Sequence, residues 1–252
     1  MPICQVKGVG IHYLEAGVRV QGKPNIVFIH GATSHGQKWA HQLDAIADIA
    51  YGAALDLPGH GRSEGNPCDQ VFLYREWVKE FVSALDLANP IIAGHSMGGA
   101  IAMDYALKYP EQVQGLVLVG TAPQFQVAAG FLEELRQGKF DEKRARSGYS
   151  ASTPAEFIDK MIEESKAVDP WVRYTDYSAC SHFVVGDLGE IKVPTLIICG
   201  VEDISTPPQA SRYLADHISD ARLVLVERAA HNVMVEQPQK VNQALVDFLQ
   251  RF

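Results

Sequence analysis

Ser96 lies in Gly94-His95-Ser96-Met97-Gly98, directly after the apolar run Pro90-Ile91-Ile92. A serine hydroxyl is a poor nucleophile at neutral pH, so acyl chemistry on it needs a base to take its proton and a carboxylate to orient that base. Two later segments offer those groups. "CGVEDISTPP" places Asp203 after an apolar run, and "ERAAHNVMVEQP" places His231 after the last one. The order serine, acid, histidine is the one expected where the serine sits on a strand-to-helix turn of an α/β sheet. Glu202 is the alternative acid. Asp203 is favoured because it stands closer to the turn into the helix that follows. His217, placed on a helix rather than in a loop, falls outside the ordered set.

These residues meet only if particular elements carry them. "NIVFIHG", "YGAALDLPG", "PIIAGHS", "VQGLVLVG", "PTLIICG" and "ARLVLVE" read as buried strands, each ending in a polar or glycine-rich turn. Helices are predicted between them at about 37–49, 72–87, 97–108, 207–217 and 238–250. Thr206, Pro207 and Gln209 have the spacing of a capping box with a first-turn proline. The opening "GVGIHYLEAG" predicts an antiparallel hairpin at the sheet edge. A strand running into a helix through G-x-S-x-G strains the serine backbone, which makes small neighbours necessary; Gly94 and Gly98 supply the room. That turn lifts Ser96 to the carboxyl edge of the sheet and points the first amides of the Met97 helix at the same spot.

The strand rhythm stops between about 123 and 189. "FLEELRQGKFDEKRAR" and "TPAEFIDKMIEESKAV" read there as two consecutive helices, the second opened by Thr153, Pro154 and Glu156 in capping-box spacing. The predicted organisation is one domain over 1–252, with a helical cap subdomain at about 123–189.

The 252 residues are 47% hydrophobic, ample for a sizeable core, and carry a net charge of 22 − 30 = −8 with the signs interspersed. That balance argues against nucleic acid and anionic membranes as partners and leaves a small-molecule substrate, with a homo-oligomer possible. The start shows no charged segment followed by an apolar run, and no later run reaches the ~18 residues of a membrane span, so the expected location is cytoplasmic. Cys4, Cys68, Cys180 and Cys199 are scattered without C-x-x-C spacing, and no H-E-x-x-H occurs. No disulfide framework, metal or cofactor is expected.

With five motifs in order, the chain resembles the α/β-hydrolase superfamily along essentially its whole length. "HGATSHGQKW" is similar to the family's His-Gly oxyanion turn and "DLPGHGRS" to its next loop. "GHSMGG" resembles the nucleophile elbow, "GVEDISTP" the acid loop and "AAHNVMVEQP" the histidine loop. The resemblance implies a mostly parallel central sheet covered by helices on both faces, with an inserted helical cap. It makes Ser96 the nucleophile, His231 the general base and then acid, and Asp203 its orienting carboxylate. The backbone N–H groups of Ala32 and Met97 would form the oxyanion hole. His30, His95 and Asp56 are expected to fix loops, Trp39 to anchor the first sheet-covering helix, and Cys180 to be an inert buried thiol.

A serine at the elbow excludes the dehalogenase mechanism of this fold, which needs a carboxylate there. The first expectation is a carboxylesterase-like enzyme that hydrolyses a small or medium ester, thioester or lactone through an acyl-enzyme. The alternatives are carbon–carbon bond hydrolysis or cofactor-free elimination by the same triad, and a hydrolase-like ligand receptor. In the cap, "WVRYTDYSACSHF" is expected to wall the substrate pocket through Trp171, with cap core as the competing role for its aromatics. Arg173 is expected to end in a surface salt bridge, a substrate carboxylate being the other possibility.

Overall fold

A computed structural model describes residues 2–252 of the chain. Eight strands form one sheet: β1 (Ile3–Val6), β2 (Val9–Ala16), β3 (Asn25–Ile29), β4 (Tyr51–Leu55), β5 (Ile91–His95), β6 (Gly115–Val119), β7 (Thr195–Gly200) and β8 (Ala221–Val226). Their order is β1-β2-β4-β3-β5-β6-β7-β8. The β1–β2 hairpin pairs antiparallel at one edge and β2 pairs antiparallel with β4, whereas β3 to β8 run parallel. The six apolar runs are all strands of this parallel portion, because a sheet covered on both faces needs apolar side chains at every position.

Successive residues serve opposite layers. Val27 and Ile29 of β3 join the core under one face, and Ile26 and Phe28 join the other. β6 divides in the same way, with Leu116 and Leu118 against Val117 and Val119. One layer is closed by α2 (Val71–Ala84), α3 (Met97–Lys108) and, further along, α8 (Pro208–His217). The other is closed by α1 (Ala40–Ile46), α9 (Val233–Glu236) and α10 (Pro238–Leu249). The helix expected at 37–49 begins as a 3₁₀ turn, Gly36–Trp39, before α1; Trp39 is buried at that junction, its ring 5.0 Å from Phe28.

Between β6 and β7 the chain leaves the sheet and forms α4 (Ala129–Arg136), α5 (Glu142–Arg146), α6 (Ala155–Lys166) and α7 (Pro170–His182). The first predicted cap helix is thus two helices, interrupted near Gly138, whose φ of 77° a helix interior cannot hold. The second starts one residue later than its capping box implied. Pro154 occupies the N-cap, and the Thr153 hydroxyl donates instead to Glu236 Oε2 at 2.7 Å, a residue of α9. α7 packs on α4 and also reaches the main core through Ala179, Cys180 and Phe183. No described helix is long and apolar enough to cross a membrane.

Candidate active site

Because β3, β5, β7 and β8 are parallel, the segments leaving their carboxyl ends arrive at one edge of the sheet. Ser96 is the single residue between β5 and α3, and its φ of 51° with ψ of −116° lies in a region a side chain strongly disfavours. Its N–H donates to Val119 O at 2.9 Å, and its carbonyl accepts from Gly99 N at 2.9 Å and from the Thr121 hydroxyl at 2.8 Å. These bonds hold the strained turn. The glycines give it space: a Cβ on Gly94 would stand 2.0 Å from Gly98 O, and one on Gly98 would stand 2.3 Å from Ile29 O. Ala32 follows β3 closely, and a Cβ on Gly31 beside it would lie 3.2 Å from Ser96 Cβ. Met97 opens α3, where the first N–H groups have no partner within the helix.

Asp203 is buried in the turn after β7 and meets the His231 imidazole, Nδ1 to Oδ2, at 2.9 Å. Its Oδ1 accepts from Ser205 N at 2.8 Å and Thr206 N at 2.9 Å, and its Oδ2 also accepts from the Thr206 hydroxyl at 2.9 Å. Burial pushes its pKa up, but the facing imidazole and the Thr206 bonds outweigh burial and hold the carboxyl below its ordinary value. An ionised acceptor places the His231 proton on Nδ1 and leaves Nε2 with its lone pair. Glu202 is exposed and its backbone N–H pairs with Ala229 O. Thr206 is therefore a partner of the acid and not the cap of α8, whose N-cap is Pro207. The capping-box spacing was genuine, but a buried carboxylate competes better for that hydroxyl.

His30 and His95, also at this edge, hydrogen-bond the backbone around them. His30 donates from Nδ1 to Gly31 O and accepts at Nε2 from Leu57 N, so it is neutral; burial, with His60 beside it, holds its pKa well below the ordinary value. His95 donates from Nε2 to His231 O at 2.9 Å, and burial followed by repulsion from His231 lowers its pKa to about 3. Asp56 fixes its loop by accepting from Gly36 N, Arg62 N and His12 Nδ1. Burial pushes the Cys180 thiol up, which keeps it from acting as a thiolate although it borders the cavity.

Ser96 and His231 open on a cavity of about 190 Å³ between sheet edge and cap, lined also by Ala32, Phe125, Tyr149 and Tyr177. Trp171 is not part of it. That side chain is 59% exposed and rests on Tyr174, 5.5 Å between rings, because the opposite side of α7 carries the buried residues. The pocket-wall expectation for Trp171 is therefore corrected. The aromatics that do line the cavity, Phe125, Phe131, Phe140, Tyr149 and Tyr177, come from five separate segments. Arg173 also departs from its expectation: it is buried, and its guanidinium donates to the Ser165 and Val168 carbonyls instead of forming a surface ion pair.

Two carboxylates that sequence reasoning did not single out tie the cap to this machinery. Asp176 of α7 is fully buried; Oδ2 accepts from Thr33 N at 2.6 Å and His60 Nε2 at 2.8 Å, and Oδ1 from the Tyr74 hydroxyl at 2.6 Å. Thr33 follows Ala32 directly and is itself held at a φ of 60°. Glu236 of α9 accepts from Ala230 N, next to His231, and from Ser150 N and Thr153 Oγ1 of the cap. Both acids act across more than 80 residues, so no local pattern could reveal them.

His60 faces acceptors on both ring nitrogens, Pro58 O at 3.0 Å and the Asp176 carboxylate, so both must carry protons. Burial works against this charge, and the Asp176 carboxylate overcomes it, raising the His60 pKa above its ordinary 6.5. Such a group contributes stability that is complete below its unfolded pKa and is lost as pH rises through the folded one. The melting temperature is expected to fall between pH 6 and pH 9, and to fall less in His60→Gln. Asp176→Ala leaves His60 and Thr33 N without their acceptor. At about 3 kcal/mol for a broken buried pair it is expected to lower the melting temperature by ~6–12 °C, readable by calorimetry.

Residues 21–238 match the family Hydrolase_4, described as serine aminopeptidase, S33. The chain is 28% identical to the (E)-2-((N-methylformamido)methylene)succinate hydrolase of Acinetobacter baylyi, over 95% of this chain and 94% of that one. It superposes on a thermophilic esterase with a TM-score of 0.86 and 32% identity, covering 99% of this chain and 97% of the other. The enol-lactonase of Burkholderia xenovorans LB400 shares the fold, with a TM-score of 0.89 at 24% identity and coverage of 99% and 100%. A strained serine between strand and helix, an acid-held histidine on the same edge and a family match over most of the length agree: the chain belongs to the serine aminopeptidase S33 (Hydrolase_4) family of α/β-hydrolase enzymes.

Proposed function

We propose that the protein is a carboxylesterase-like serine hydrolase, cleaving a small or medium ester, or a thioester or lactone, through an acyl-enzyme on Ser96. The observation that carries this reading is the Asp203–His231 pair, its Nδ1 proton fixed by a buried carboxylate, opening on one cavity with the strained Ser96. His231 Nε2 takes the Ser96 proton as Oγ attacks the substrate carbonyl. The negative charge that develops on the carbonyl oxygen is received by the N–H groups of Ala32 and Met97. Collapse of the tetrahedral intermediate breaks the bond to the leaving oxygen, which takes the proton from His231. Water then repeats the sequence, giving its proton to His231, and frees Ser96 and the carboxylic acid.

The cavity suits a compact acyl group. It adjoins a wider depression of about 910 Å³, shared at Gln126, Arg144, Ser205 and Thr206, whose apolar wall includes Val184, Ile204 and Tyr213. That groove offers room for the departing alcohol. The names of two relatives, a thermophilic esterase and an (E)-2-((N-methylformamido)methylene)succinate hydrolase, support hydrolysis as the reaction, the first of them ester hydrolysis.

The test is turnover by the purified protein on a panel of short-chain aryl esters, acyl thioesters and vinylogous diketones. Multiple turnovers on at least one ester are expected. Activity confined to the diketones would transfer the triad to carbon–carbon cleavage. No more than a single stoichiometric turnover across the panel, with ligand-dependent protection of the cap from hydrogen exchange, would overturn the enzyme reading in favour of a receptor.

A further inference from the structure

Two arginines from different cap helices, Arg144 of α5 and Arg173 of α7, line the cavity that holds Ser96 and His231. Arg173 is only 5% exposed. Its Nη2 donates to Ser165 O at 3.2 Å and Val168 O at 3.0 Å, and its guanidinium lies 4.9 Å from the centre of the Phe140 ring. Among the described residues no carboxylate forms an ion pair with either arginine, and the buried Arg173 Nε has no hydrogen-bond partner. Arg144 stacks over Phe131 at 4.1 Å.

Among the described residues no nearby charge makes a direct ion pair with either arginine, although Asp169 acts on Arg173 from beyond contact and favours its charged form. Lys38 is paired with Glu164 at 2.7 Å. Asp141 accepts from Arg144 N as the cap of α5, and Asp169 accepts from Trp171 N as the cap of α7. Burial lowers the Arg173 pKa, yet a guanidinium stays cationic in a protein. Holding a cation out of water without a counter-ion is costly unless something else supplies the negative charge. It is all the more unexpected in a chain whose net charge is −8.

We propose that the acyl part of the substrate carries a carboxylate, received by Arg173 and Arg144, so that the preferred substrates are half-esters of short dicarboxylic acids or small lactones that bear a free carboxylate. This rests on the hydrolase reading and adds to it the identity of the group at the far end of the acyl chain. The guanidinium fork suits a carboxylate, and only part of the Arg173 donor set is used by the protein's own carbonyls. The modest cavity limits the spacer between reacting carbonyl and carboxylate to a few carbons.

Monomethyl adipate and methyl hexanoate, matched in length and differing in the terminal carboxylate, separate the possibilities. The wild-type protein should favour the acid ester by at least about tenfold in kcat/KM, the worth of a charge-assisted hydrogen bond. Arg144→Gln and Arg173→Gln should each bring the ratio of the two kcat/KM values toward one. Arg144 is exposed at its position, so its variant folds even if the Arg173 variant does not. An independent readout uses no variant: adipate should slow fluorophosphonate labelling of Ser96, and hexane-1,6-diol should not. Turnover of both esters at equal efficiency, or equal protection by adipate and the diol, would overturn the carboxylate assignment and leave the hydrolase reading standing. Labelling without turnover of either ester leaves the decision to the protection experiment. Absence of both labelling and turnover would sink the hydrolase reading and the substrate assignment with it.

Discussion

Ser96→Ala is expected to lower kcat/KM on any accepted ester by about a millionfold, because the acyl-enzyme cannot form and only binding and the oxyanion donors remain. Fluorophosphonate should label the wild-type protein on the Ser96 peptide and fail to label the variant. The backbone of this position adds a second readout. At a φ of 51° and ψ of −116°, alanine inherits the strain and glycine relieves it. Ser96→Gly is thus expected to be as inactive as the alanine variant and to melt at a higher temperature, by an amount reflecting ~1 kcal/mol of released strain. Residual turnover within a factor of ten of wild type in either variant would remove Ser96 from the chemistry.

Asp203→Asn is expected to cost about ten-thousandfold in turnover with the fold intact. The carboxylate accepts the His231 Nδ1 proton at 2.9 Å, so an amide in its place can present its NH₂ to that nitrogen and drive the proton to Nε2. The imidazole would then have no lone pair for the Ser96 hydroxyl. The loss of charge also removes the partner that stabilises the imidazolium in the transition state. Glu202→Gln, at an exposed side chain one residue away, should keep near wild-type turnover. The reverse pattern would move the acid by one position. The acid limb of stability provides a further check: a carboxyl held below its ordinary 3.8 contributes stability above that value and loses it as pH falls through the folded one. Asp203→Asn should flatten that limb.

Asp176 and Glu236 tie the cap that carries the two arginines of the proposed carboxylate site to the loops around Ser96 and His231. Asp176 joins α7 to the turn carrying Ala32, and Glu236 joins the loop before α6 to the loop carrying His231. A movement of α7 that carried Arg173 would therefore pull on the turn carrying Ala32 through Asp176, three residues further along the same helix.

Much of this protein was legible in its residues because the signals are short-range. Continuous apolar runs mark strands buried on both faces, and a serine ringed by glycines after such a run marks a turn few other residues tolerate. Parallel strands then oblige Ser96, Asp203 and His231 to share one edge, so their order along the chain was enough to bring them together. Helix α3 appears at 97–108 as its sequence predicts. What required the tertiary structure was the choice among partners distant in sequence. Thr206 had equal local grounds for capping α8 or bonding a carboxylate, and the buried, charged Asp203 prevailed because its desolvated oxygens accept more strongly than a solvated amide end donates. Trp171 and Arg173, two residues apart on one helix, exchanged their expected places: the aromatic faces solvent and the cation faces the core. On a helix two positions apart point in nearly opposite directions, and which of them turns inward depends on how α7 rolls against α4 and the main core. Asp176 anchors that roll through Thr33, His60 and Tyr74, partners 143, 116 and 102 residues away that exist as neighbours only once the sheet and cap have closed on each other.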